Sequence, residues 1–225
     1  MTQLARPDLA RNRSRRNRLR PASLVPGWVV GAALLAPAVL VAGWLVAGAL
    51  QPASYSPMGQ TISVLAGQTG TDRWVMTAAL LVVGSAQIAT GAGLVAVRLP
   101  ARILLILTGL STLGIAATPE LATGPTGRHL AFAVSCVVTT AVWPLLVVRR
   151  APAPSWILSL YGGVAVTMLF AGLSGWLLFA AQTGAGDLGL AERLTSGVQS
   201  LYPLIVVLVL RRAASARPSA VRAGR

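Results

Sequence analysis

The chain has 225 residues, 55% of them hydrophobic and only 11% charged, against about 25% charged in a soluble domain; its mean hydropathy is +0.70. This composition excludes a disordered chain and an ordinary water-soluble core. The net charge is +14 and every basic residue is an arginine, so nucleic acid and an anionic membrane surface are the two partner classes to separate, and the placement of the charge separates them.

Residues 1–27 form an arginine-rich arm with RNRSRRNRLR at its centre. It reads as a disordered cytoplasmic anchor that touches anionic headgroups; no nucleic-acid partner is expected. SRRNRL loosely resembles a twin-arginine signal, with Ala47-Gly48-Ala49 as a cleavage site. The apolar run behind it is longer than a signal core, which argues for retention.

Six runs approach or exceed the roughly 20 apolar residues that cross a bilayer. They are Trp28–Leu50, Arg73–Val97, Ile103–Thr118, Arg128–Val148, Ser155–Ala181 and Arg193–Leu210. The predicted fold class is all-α: a six-transmembrane-helix bundle over residues 28–212, followed by a basic, disordered cytoplasmic tail at 213–225. Sixteen arginines flank the ends that share a side with both termini, including Arg98, Arg102, Arg149, Arg211 and Arg212; only Arg73, Arg128 and Arg193 fall on the other side. Arginine excess marks the cytoplasm, so both termini are expected inside. Asp72, Glu120, Asp187 and Glu192 are then outside, and Asp8 inside. Trp28, Trp74 and Trp156 sit at predicted helix starts, where amphipathic rings favour the interface, and Trp143 lies near the inner end of the fourth span.

The first outer loop, PASYSPMGQTISVLAGQTGTDRW, contains Tyr55, Ser56, Pro57, Thr61 and Ser63. Ser56 then Pro57 is an N-cap followed by a residue pre-set for the first turn. Met58, Ile62 and Leu65 share a face, Gln60 and Ser63 point elsewhere, and Gly67 ends the run. A short amphipathic helix is expected there, along the outer surface or capping the bundle. Thr71 is expected to cap the second span, with Asp72 at the positive end of its dipole.

Within the membrane, Ser159, Gly163, Thr167, Ala171 and Gly175 make a small-residue face on the fifth span, Ser85, Ala89 and Gly93 one on the second, and Gly27 and Gly31 a GxxxG on the first. These are expected to pack inside the molecule; a homodimer is the alternative use. Pro37, Pro144 and Pro203 free the carbonyls of Ala33, Thr140 and Gln199. Gln87 is expected to face the bundle and bond a Ser or Thr. No ionisable residue is expected deep in a span, which argues against a proton-coupled pump. WPLLVVRR (Trp143–Arg150) resembles YPLIVVLVLRR (Tyr202–Arg212), a weak internal repeat.

Cys136 and His129 are each the single residue of their kind, so neither an intrachain disulfide nor a bis-histidine haem within one chain can form. No G-x-S-x-G, H-E-x-x-H or phosphate-binding glycine loop occurs. No metal or cofactor is expected. Asp72, Arg73, Glu120, Arg128, His129, Glu192 and Arg193 all fall at outer helix ends, and would ring one outward cavity if the helices close into a bundle.

The segment YSPMGQTISVLAGQTGTDRWVMTAALLVVGSAQIATGAGL (Tyr55–Leu94), with GRHLAFAV, WPLLVVRR and ERLTSGVQSLYPL, resembles the bacterial "domain of unknown function 998" membrane proteins over about residues 28–212. Tyr202 stands where many of these carry a Trp. The resemblance implies a multi-helix bacterial membrane protein and carries over no catalytic residue.

The leading reading is a non-enzymatic protein of a bacterial cytoplasmic membrane, engaging a lipid headgroup, envelope component or partner protein at the outward polar site. The alternatives are an enzyme acting on a lipid-like substrate through His129 and outer acids, and a small passive transporter through Gln87 and Gln199. A reporter fused after Gly67 is expected outside the cell and one after Arg150 in the cytosol; protease access or a periplasm-active reporter enzyme checks both.

Overall fold

The computed structural model describes residues 25–149 and 153–222, the stretch 216–222 as backbone. The expectations for the arginine arm fall on residues 1–24, outside the described residues. The elements are α1 (Gly27–Ala49), α2 (Ile62–Ala66), α3 (Trp74–Gly93), α4 (Leu99–Ala117), α5 (Gly127–Leu146), a 3-10 turn (Trp156–Leu158), α6 (Leu160–Thr183) and α7 (Leu188–Arg222). All of these helices except α2 are long and apolar enough to span a bilayer, α7 over Leu188–Ser215. The chain is a multi-pass helical membrane protein.

Each spanning helix packs on its neighbours in sequence, and α7 returns to α1, so the six close into a ring. Unlike a soluble bundle, the ring is apolar outside as well as inside, and it also buries hydroxyls and an amide. Leu45, Leu110, Val134, Met168 and Phe179 face outward, while Thr90, Thr108, Thr112, Thr195 and Gln199 are buried. In lipid an outward leucine costs nothing, and an inward hydroxyl finds a partner across the seam. Between α4 and α5 the Thr108 hydroxyl donates to Thr139 Oγ1 at 2.9 Å and the Ser111 hydroxyl to Ser135 Oγ at 2.9 Å. Gln87 meets the threonine expected of it, as Thr112 donates to its Oε1 at 2.9 Å.

Backbone approach is closest between α3 and α4. A Cβ on Gly84 would stand 2.7 Å from the carbonyl oxygen of Gly109, so only glycine allows this contact. The small faces expected from spacing are used unevenly. Gly163 lies against the Pro144 carbonyl and Gly93 against Trp28 and Val29, whereas Gly31 and Gly175 face open space. The GxxxG of α1 therefore seats no helix.

Helix ends differ from expectation where local chemistry decides them. α4 starts at Leu99 rather than Ile103, since Pro100 fits the first turn. Ser159 caps α6 through Gly162 N–H, leaving Trp156–Leu158 as a separate turn. α7 begins at Leu188, five residues before the expected Arg193, and its helical backbone runs through Arg222, beyond the boundary expected at 212. Trp143 is buried, its indole N–H donating to the Ala101 carbonyl at 2.8 Å. Trp28, Trp74 and Trp156 are exposed.

Two apolar clusters divide the interior. One, toward the ends that carry both termini, holds Val29, Trp143, Phe170, Tyr202 and Val206. The other, toward the α1–α3 loop, holds Leu40, Ile62, Leu65, Met76 and Val83. Arg102 closes the end of α3 by donating to the carbonyls of Gly91 (3.1 Å) and Ala92 (2.5 Å). Gly109→Val should destabilise the detergent-solubilised protein by about 1–3 kcal/mol through overpacking, while Gly31→Val should stay within about 0.5 kcal/mol; thermal unfolding followed by circular dichroism measures both.

Candidate functional site

The α1–α3 loop folds into a roof, built from one end to the other by side-chain bonds. At its neck Gln51 pairs with the Thr71 backbone in both directions, each bond 3.0 Å. α3 begins after Arg73 with no side-chain cap, so Thr71 does not cap it. Ser56 opens a turn instead of a helix: its hydroxyl accepts from Gly59 N–H, and its own N–H donates to Gln60 Oε1. The helix begins at Ile62, capped by Thr61 through Val64 N–H at 3.2 Å.

The cause of the later start lies in α7. Arg193 Nη1 donates to the carbonyls of Pro57 and Gln60, each at 2.7 Å, and its other terminal nitrogen donates to the Tyr55 hydroxyl. Those carbonyls are turned toward the guanidinium and cannot serve a helix that starts at Ser56. Leu190 N–H donates to the Met58 carbonyl at 2.9 Å. Gly189 has no Cβ where the carbonyls of Pro57 and Gln60 press on α7. Glu192 accepts from Ile62 N–H and from the Ser63 hydroxyl, so its carboxylate holds the positive end of α2. Ile62, Leu65 and Ala66 are buried, and Met58, expected on the same face, is exposed. The short helix caps the bundle.

The far edge of the roof rests on the α4–α5 hairpin. Gln68 N–H donates to the Glu120 carbonyl at 2.8 Å. The Glu120 carboxylate stands 3.5 Å from His129 Nε2, and His129 Nδ1 lies 2.7 Å from the Thr118 carbonyl. A carbonyl only accepts, so Nδ1 carries the hydrogen and Nε2 is turned to the acid. Thr126 caps α5 by accepting from His129 N–H at 3.2 Å. Burial raises the Glu120 carboxyl above the ordinary carboxylate range. Burial also raises the Tyr55 phenol, against the opposing charge and hydrogen bond of Arg193.

Of the residues expected to ring the outer end, Glu120, His129, Glu192 and Arg193 join the roof network with Tyr55 and Ser63. Asp72, Arg73 and Arg128 do not. Asp72 is exposed in the left-handed region at φ 46°, Arg73 stacks on the Trp74 ring at 4.3 Å, and Arg128 is exposed.

Under the roof lies a cavity of about 90 Å³ lined in part by Gln87, Thr112, Cys136, Glu192, Ser196 and Gln199. Gln199 donates to Ser174 Oγ at 3.2 Å. Such a volume accepts several water-sized groups. One turn further along α5 and α7, away from the roof, Tyr202 meets Trp143 and Phe170 edge-to-face, with centroids 5.6 and 5.7 Å apart. The Tyr202 hydroxyl donates to the Ile157 carbonyl at 3.2 Å. These rings lie beyond the cavity without lining it.

Glu192 is the residue that sequence reasoning misplaced. Starting α7 at Leu188 puts it in the second turn of a spanning helix, so an acid does line the interior. Its signal was present: Glu192, Ser196 and Gln199 follow i, i+4, i+7 spacing on one face. Among the described residues no three His, Cys, Asp or Glu side chains are placed to hold a metal ion.

The family model described as "Protein of unknown function (DUF998)" matches residues 34–209. No curated protein and no solved structure matches the chain. Arg193→Ala should free the roof and speed hydrogen exchange of the Ile62–Ala66 amides about tenfold or more, since bonds from a charged group are lost; exchange mass spectrometry in detergent reads it.

Proposed function

We propose, for a chain that belongs to the DUF998 family of proteins of unknown function, a non-enzymatic role as an outward-facing binding protein. Its ligand is a small solute that carries a positive charge and hydrogen-bond donors, such as a primary ammonium group. The carrying observation is the roofed chamber with Glu192 in its wall. A carboxylate inside a membrane protein demands compensation. Among the described residues the hydrogen-bond donors to Glu192 are neutral, Ile62 N–H and the Ser63 hydroxyl, while the Arg193 charge acts from the adjoining position. The neighbouring Arg193 is turned away from it toward the loop carbonyls. A cation in the chamber would compensate the carboxylate from the cavity side, which the guanidinium does not reach. The carbonyl oxygen of Gln87 and the hydroxyl of Ser196 offer acceptors around it.

The membrane is that of a bacterial cytoplasm, with the roof outside. Arg98, Arg102, Arg149, Arg211 and Arg212 stand at the opposite ends of the helices, and arginine excess favours the cytoplasmic face. The packed rings of Trp143, Phe170 and Tyr202 beyond the cavity support binding over passive passage, because the cavity lining stops short of them. The His129–Glu120 pair supports an anchoring role. His129 is 3% exposed, takes no part in the chamber wall, and already uses its second nitrogen on Thr118.

Thermal unfolding in detergent with methylammonium, guanidinium and acetate as probes tests this. At tenfold excess over its dissociation constant, a cation that fits should raise the midpoint by roughly 3 °C or more, and acetate should not. Glu192→Gln should abolish the cation effect while the helical signal persists. Equal shifts with acetate, or full cation response in the variant, would overturn the assignment.

A further inference from the structure

At the end of the ring opposite the roof, a groove of about 530 Å³ opens between the end of α5 and the start of α6. Arg98 and Arg149 line it, with Ser159 and Tyr161 at the α6 side and Leu145, Val148 and Leu160 as apolar wall. We propose that this groove is a binding site for one anionic phospholipid, its phosphate held between the two guanidinium groups.

Charge gives the first argument. Arg98 is exposed, and the four acids among the described residues, Asp72, Glu120, Asp187 and Glu192, all belong to the roof end of the fold. Arg149 reaches the groove anchored at its base, its guanidinium donating to the Ala96 carbonyl. Arginine presents a planar fork of donors that matches phosphate oxygens. Ser159 caps α6 with its hydroxyl, so the first turn of that helix adds the positive end of a dipole to the same groove.

The apolar surface gives the second argument. Two exposed stripes leave the groove toward the bilayer centre: Leu145, Val142 and Val138 on α5, and Leu160, Val164 and Met168 on α6. Both follow helical spacing from a residue that lines the groove. An acyl chain lying along them continues from a phosphate at the arginines. A free phosphate uses only the upper part. A basic recess between spanning helices joined to an apolar track is the chemistry of a headgroup site.

The test uses the full chain in detergent micelles, titrated with dioleoyl phosphatidylglycerol or dioleoyl phosphatidylcholine and read by native mass spectrometry. The glycerol lipid should bind more tightly than the choline lipid. Arg98→Gln should weaken phosphatidylglycerol about fivefold, the loss expected for one juxtamembrane charge, and weaken phosphatidylcholine less, because its choline cation already offsets the same phosphate. Arg211→Gln removes an arginine at the same end but outside the groove, and should change neither. Equal loss in both variants would show a diffuse charge effect and sink the site. Inorganic phosphate alone should leave no adduct; binding as tight as the lipid's would make this a free-anion site and overturn the lipid assignment. A variant-free readout is available: a diazirine-bearing phosphatidylglycerol should label α5 and α6 along the two stripes of the wild-type chain. Labelling spread evenly over α1 and α4 counts against the proposal.

Discussion

Two adjacent side chains in the second turn of α7 hold the loop end of this protein together. Arg193 gathers the carbonyls of Pro57 and Gln60 and the hydroxyl of Tyr55, while Glu192 takes the first amide of α2 and the Ser63 hydroxyl. Ile62 is buried, and an unsatisfied buried amide costs about 1–3 kcal/mol, whereas the Pro57 and Gln60 carbonyls lie at the exposed edge of the loop, where Arg193 ties them down. The dipeptide answers both polarities at once, cation to carbonyls and carboxylate to amide. Where α2 starts, which residues become buried and what closes the chamber all follow from that arrangement.

The ring below obeys the same demand with weaker bonds. Hydroxyls of Thr90, Thr108 and Thr112 each return to a carbonyl four residues back, and Thr108 and Thr112 also reach across to other helices. Lipid gives leucine little reason to prefer the inside, so buried leucines and valines share the interior with small polar residues, glycines and a few aromatic rings. The two phrases that repeat in the sequence, around Trp143-Pro144 and Tyr202-Pro203, meet in space: Trp143 and Tyr202 pack edge-to-face at 5.6 Å. The position where family resemblance suggested Trp thus keeps an aromatic ring and gains a hydroxyl that bonds Ile157.

Much of the architecture was legible because a spanning helix is long and compositionally plain. The six spans, the polar partner of Gln87 and the presence of a short helix in the first loop could be read from apolar runs and spacing, though not whether that helix lies on the surface or caps the bundle. The roof could not. Ser56-Pro57 and Thr61 are both sound helix starts by local chemistry, and the choice is made by Arg193, more than 130 residues away in sequence. The depth of Glu192 was hidden for a related reason. Gly189 and Leu190 look like loop beside Asp187, yet they are helical because the roof packs on them. The GxxxG of α1 misled in the other direction, for spacing reports only that a close approach is sterically allowed. Gly84 and Gly109 supply the contact, and neither lies in the stripes that regular spacing selected.

The aromatic side chains packed beyond the chamber have a consequence for water. Trp143, Phe170 and Tyr202 bring three large rings together with Val206 and Leu94 around them, all buried. So apolar a block offers water no hydrogen-bond partner. Solvent that reaches the cavity therefore meets a dry plug on the side toward the termini, and the polar lining ends where the rings begin.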